Sequence, residues 1–181
     1  MEKKSFYKAF DVKFPGLKLG EHSFDFQVND DFFNQYEDSL VTKSNVAVKL
    51  ILDKQSEVLY ILNFEFNGSI NLLCDRCLTQ FDLPINENYR LIMKVDSEIE
   101  NNEDVDIIFV SSHDLVFNVA DYLYEFILIQ LPLKVSCDMA DLECDEEMTS
   151  KFDEIVIKEN DTEENNPWAK LQELKNKFKE D

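Results

Sequence analysis

The chain has 181 residues, 44% of them apolar, with 15 Phe and 6 Tyr, which is enough for one packed domain and excludes disorder throughout. Its 38 Asp and Glu outnumber 18 Lys and Arg, for a formal net charge of −20. Such a chain repels phosphate and anionic membrane surfaces, so a non-specific nucleic-acid binder is disfavoured and a basic partner is favoured.

In chain order, Ser5–Phe14 and Ser23–Val28 are predicted short strands, separated by the turn residues of PGLKLGE. NDDFFNQYEDSL follows as a predicted amphipathic helix near 29–40, with Asn29 as N-cap and Phe32, Phe33, Tyr36 and Leu40 on one stripe. Val46, Val48, Leu50 and Leu52 then alternate as in a strand, and Asp53–Glu57 leads into the next. From Val58 to Cys74 every even position except Gly68 is apolar, and Gly68 suits a bulge or bend. After CDRC the odd positions take over from Phe81 to Val95. The reading is a pair of long antiparallel strands joined at Cys74–Cys77 within a meander of at least three.

Val105–Val110 is a further predicted strand, and FNVADYLYEFILIQLP a helix near 118–131, capped by Asn118 and stopped by Pro132. Residues 96–106 hold six acidic residues and no basic one. Residues 138–164 hold twelve against Lys151 and Lys158, so the two segments supply sixteen of the twenty net charges. The second reads as a flexible acidic tether. Beyond it, at 165–181, Asn166 can cap a C-terminal helix with Pro167 at its first position and Trp168, Leu171, Leu174 and Phe178 as one apolar stripe. That stripe either docks a partner or covers an apolar patch of its own domain. The expected fold is α+β: one β-rich domain over 1–137 built on a mainly antiparallel, strongly curved sheet, half-barrel or barrel-like, with two or three short helices and the tethered C-terminal helix.

Three Gly cannot build the phosphate cradles of nucleotide enzymes, and no nucleophile, base and oxyanion site come together around His22, His113 or the abundant carboxylate pairs. The N-terminus lacks the apolar run of a secretory signal, so the expected location is cytoplasmic, where four Cys are reduced thiols or metal ligands. Cys74 and Cys77 have the C-x₂-C spacing of half a zinc knuckle, and Cys137 and Cys144 could close a tetrahedral site. Neighbouring Asp138, Asp141, Glu143 and Asp145 would raise the thiol pKa values and oppose thiolate formation without a metal. The plainer alternative is that Cys74 and Cys77 are turn or core thiols. A redox dithiol lacks its usual strand-to-helix setting. Arg76 could grip a carboxylate or phosphate, or pair within the chain.

NFEFNGSINLLCDRCLTQFDLPI, VADYLYEFILIQLPLKVSC and NPWAKLQELKNK, in that order and with an acidic stretch before the last, together resemble the YceD-like family of large ribosomal RNA subunit accumulation proteins over roughly residues 45 to 178. The resemblance implies a cytoplasmic bacterial or organellar protein, not an enzyme, acting in 23S ribosomal RNA accumulation and large-subunit biogenesis. By position, Cys74, Arg76 and Cys77 match the family's CxRC, Glu125 its helix acid, and Pro132 the proline that ends the helix. Many relatives have a second C-x₂-C with Gly after that proline, whereas this chain has Cys137 and Cys144 without it. With a charge of −20, the expected contact is a basic ribosomal protein or assembly intermediate, not naked RNA, a membrane or a small-molecule substrate. The alternative is a cysteine-dependent metal-binding or redox protein.

Overall fold

The computed structural model describes residues 6–37, 39–41, 43–96 and 107–151. A helical turn over 6–10 leads into β1 (Asp11–Val12), and β2 (Gly20–Asn29) runs directly into the one-turn α1 (Asp30–Phe33). Three long strands follow in a meander, β3 (Lys43–Lys54), β4 (Leu59–Leu73) and β5 (Gln80–Asp96). Then come β6 (Ile107–Ser111), β7 (Phe117–Asn118), α2 (Ala120–Ile129) and a 3₁₀ turn at Cys137–Ala140.

The strands form a five-stranded sheet of order β2-β3-β4-β5-β6, while β1 and β7 make a separate two-stranded pair. The alternation predicted for the meander is the alternation of burial. Val46, Val48, Leu50 and Leu52 of β3 and Tyr60, Leu62, Phe64 and Phe66 of β4 all point into the core. Two features differ from expectation. β6 joins β5 in parallel, Ile92 opposite Ile107, so the sheet is mixed. Nor is the sheet closed or strongly curled: β2 and β6 are its edges. Its apolar face is covered instead by the buried side of α2 and by Phe10, Phe14, Phe32 and Phe33. A sheet whose apolar face is covered by other elements has no need to close on itself.

Gly68 is explained by close approach, not by a bulge. The ladder runs through it unbroken, opposite Val46 and Ile85, and a Cβ there would lie 2.1 Å from the Asn45 carbonyl oxygen. Around position 10 the expected strand is mostly replaced by the helical turn. Phe6 and Phe10 stand four residues apart and meet at 5.3 Å, so both join the aromatic cluster around Phe32. The helix expected near 29–40 starts as predicted, with the Phe32 amide donating to Asn29 Oδ1, but it stops after Phe33 and leaves Leu40 exposed. Gln35 and Tyr36 continue only through i to i−3 turns.

α2 begins two residues later than predicted and ends at Ile129. Val119, not Asn118, is its N-cap and offers no side-chain cap, but Asn118 just before it accepts from the Ala120 amide through Oδ1 at 3.0 Å. The helix docks on the sheet through Phe126, which stacks on Tyr89 at 4.6 Å and meets Phe64 at 5.4 Å. Tyr124 stacks on Tyr36 at 3.9 Å and ties α2 to the turn after α1. The chain then returns to the end of the sheet where β4 turns into β5. No helix among the described residues is long and apolar enough to cross a membrane.

Candidate metal centre

The turn between β4 and β5 is fixed by its own backbone. The Cys74 amide donates to Thr79 O at 2.9 Å, and the Leu78 amide donates to Cys74 O at 2.9 Å. Leu78 takes the left-handed conformation, φ 60°, where Gly is the unstrained residue. The reversal points Cys74 and Cys77 inward, and both are buried. Asp75, between them, reaches across the fold. Its amide donates to Val135 O at 2.8 Å, and its carboxylate accepts from the Val135 amide at 2.7 Å. This reciprocal pair holds the segment after Pro132 against the turn.

Two residues beyond Val135, the 3₁₀ turn runs from buried Cys137 to Ala140 and is followed by Asp141 as C-cap, also left-handed at φ 55°. The Leu142 amide donates back to Cys137 O at 3.1 Å. The chain thereby doubles back and places Cys144, half-buried, over Cys74. The sulfurs lie 3.8 Å apart for Cys74 and Cys144 and 3.5 Å for Cys77 and Cys137, and all four fall within 4.8 Å of one another. These separations are longer than a disulfide bond, and all four Cys are free. Four ligands at the zinc–sulfur distance around a tetrahedral ion stand about 3.8 Å apart, so the donor set fits zinc in kind, number and spacing. Among the described residues this is the one group of three or more metal-ligating side chains within reach of one another.

The sulfurs divide by environment. The Thr79 side chain, then the amides of Asp145 and Thr79, hydrogen-bond to Cys77 and pull its thiol down to about 6. Burial works to raise Cys74, but the amides of Cys77 and Arg76 outweigh it and the net direction is down. Cys137 is pushed far up, first by burial and then by the neighbouring Cys77 and Cys74, and Cys144 is raised chiefly by burial. Burial and crowding of sulfur on sulfur, not the carboxylates expected from the sequence, therefore oppose a fourfold thiolate. A divalent cation would remove that opposition. The setting is strand, turn, strand, which differs from that of a thioredoxin-like dithiol.

Of the remaining sequence-predicted residues, Arg76 is exposed on the turn and lines a cleft of 400 Å³ beside Cys144, with Lys134, Ser136, Asp138 and Glu143. Glu125 is on the exposed side of α2, and Pro132 follows its end. His22 makes a 2.8 Å hydrogen bond to Lys18 O, and neither it nor His113 belongs to the cluster. Trp168, Leu171, Leu174 and Phe178 lie outside the described residues, as does 152–164 of the acidic segment. Residues 138–151 of that segment include most of the 3₁₀ turn, Cys144, and a helix over 146–151 capped by Asp145, whose Oδ1 accepts from the Met148 amide at 3.1 Å. Asp75 and Thr79 escaped the sequence reading, and Asp145 was read only for its charge and not for its amide, because these roles depend on partners the chain brings together only by folding.

Residues 62–175 match the family described as Large ribosomal RNA subunit accumulation protein YceD, and that stretch covers well over half of the chain. The chain belongs to the YceD family. The match takes in all four cysteines and α2 but starts inside β4, later than the resemblance read from the sequence, so β1 to β3 fall outside it. No curated protein and no solved structure matches the chain significantly.

Proposed function

We propose that this YceD-family protein is a non-enzymatic, cytoplasmic factor that supports 23S ribosomal RNA accumulation, and so large-subunit biogenesis, by holding a basic ribosomal protein or an assembly intermediate. The observation that carries the mechanism is the placement of charge: sixteen of twenty net negative charges lie in 96–106 and 138–164. Such segments attract a cationic protein and repel bare phosphate, which favours indirect action on the RNA. Zinc is the metal the four thiolates fit, and Cys74, Cys77, Cys137 and Cys144 would hold it. Bound there, it supplies a structural cross-link between the β4–β5 turn and the chain beyond α2, at the root of the acidic segment. The lowered Cys77 thiol also favours a redox reading, but four sulfurs at tetrahedral spacing suit a metal better than a dithiol.

The test is a pull-down with the full chain at rising ionic strength. The expected result is a basic large-subunit protein or assembly particle captured at low salt and lost as salt rises, since screening shortens the range of exposed charges. Salt-insensitive capture of naked ribosomal RNA, with no ribosomal protein recovered, would overturn the proposal.

A further inference from the structure

Resting on the zinc reading above, we infer that Arg76 and Lys134 are the electrostatic partners of the metal centre, their charges offsetting the excess negative charge of a zinc ion held by four thiolates. Four thiolates around a divalent cation leave two negative charges in one place. The cleft at the exposed edge of the cluster adds the carboxylates of Asp138 and Glu143. Arg76 and Lys134 are the cations lining that cleft, in a chain where acidic residues outnumber basic ones 38 to 18. Among the described residues neither is in an ion pair; those that are paired are Lys54 with Glu57 and Lys151 with Glu147.

Sequence and fold place the two cations by the same devices that place the sulfurs. Arg76 is inside the C-x₂-C turn, and its amide hydrogen-bonds the Cys74 sulfur while its side chain faces the cleft. Lys134 precedes Val135, which the Asp75 pair locks against that turn. A phosphate-binding role for the same pair is less well supported. With zinc bound, the cleft is negative overall even when both cations are counted, so a polyanion would gain nothing by entering.

The experiment measures zinc affinity of the full chain by competition with a chromogenic chelator, zinc alone being the titrant. Outer partners of metal ligands are commonly worth 10–100-fold in affinity. Arg76→Gln is expected to weaken zinc about tenfold and R76Q/K134Q about a hundredfold. Arg76→Lys restores most of the loss, and Lys49→Gln, which removes one exposed charge from β3, leaves affinity unchanged. The differences narrow in ~1 M salt, where the screening length is about 3 Å. Circular dichroism of each zinc-loaded variant checks that the fold is kept. A wild-type chain that takes up no zinc refutes the zinc reading itself. A wild-type chain that binds zinc while R76Q/K134Q binds it as tightly as K49Q refutes this inference alone. So does a double variant that keeps its zinc but loses binding to an RNA oligonucleotide.

Discussion

Removing zinc, or one of its ligands, should cost the fold several kcal/mol, and the size follows from topology. The centre joins Cys77 to Cys137 across a separation of 60 residues, and it joins Cys74 to Cys144 across 70. A covalent cross-link closing a loop of that length lowers the entropy of the unfolded chain by an amount worth about 4 kcal/mol. A metal tether approaches this as long as it outlasts unfolding. At about 2–4 °C per kcal/mol for a chain of this size, the melting temperature should fall by roughly 10 °C on chelation. Cys137→Ser should reproduce the fall and abolish its dependence on chelator, since Cys137 is fully buried and 3.5 Å from Cys77. The assay is differential scanning calorimetry of zinc-loaded, EDTA-treated and zinc-restored protein, with far-ultraviolet circular dichroism alongside. The sheet signal should survive below the new transition, because the apolar face of the sheet is covered by α2 and the aromatic cluster without help from the centre. An unchanged melting temperature in EDTA, with less than a tenth of an equivalent of zinc in the purified protein, would refute the reasoning.

Phe126→Ala should destabilise the protein by about 3–5 kcal/mol in urea unfolding, because it removes a ring stacked on Tyr89 and packed on Phe64 beneath α2. Leu78→Gly should raise stability by about 0.5–1 kcal/mol, since relief of the left-handed backbone exceeds the added freedom of the unfolded chain and the side chain is 58% exposed. A lower melting temperature for that variant would mean that the Leu78 side chain packs in a way its exposure hides. Tyr36, Tyr89 and Tyr122 are all raised above the ordinary tyrosine value, each first by burial. A raised folded-state pKa means stability that is complete below about pH 10 and lost as pH rises beyond it. Tyrosinate absorbance should therefore show these three ionising together with unfolding on the alkaline side, and independent titration near pH 10 in a folded chain would contradict their burial.

How much of this was legible in the sequence depended on whether the deciding interaction was local. β3, β4 and β5 were readable because a half-buried strand alternates with period 2 whatever covers it, and Val46 to Leu52 and Tyr60 to Leu72 do so. The helix that starts at Asn29 was readable only at its start. A cap is a contact across three residues, but the end at Phe33 is set by packing of Phe32 and Phe33 under neighbouring aromatics. The helical turn at 6–10 was missed because Phe10, Val12 and Phe14 also alternate. Which pattern prevails depends on Phe6 reaching Phe32, 26 positions away. Gly68 was seen as special, and its cause, the Asn45 carbonyl of the next strand, was not visible.

The amino-acid sequence by itself determined the meander, the helix before Pro132, the C-x₂-C turn, the family and the segregation of negative charge, since each is written in residue types a few positions apart. Tertiary structure alone decided that the sheet stays open with a parallel edge strand, and that Cys137 and Cys144 complete the site. Their separation by six residues resembles no compact ligand pair. It works because Asp141 turns the chain back and Asp75 holds the Val135 segment against the turn, 60 residues away in sequence. Contacts between residues that far apart depend on the path of the whole chain, and spacing does not record that path.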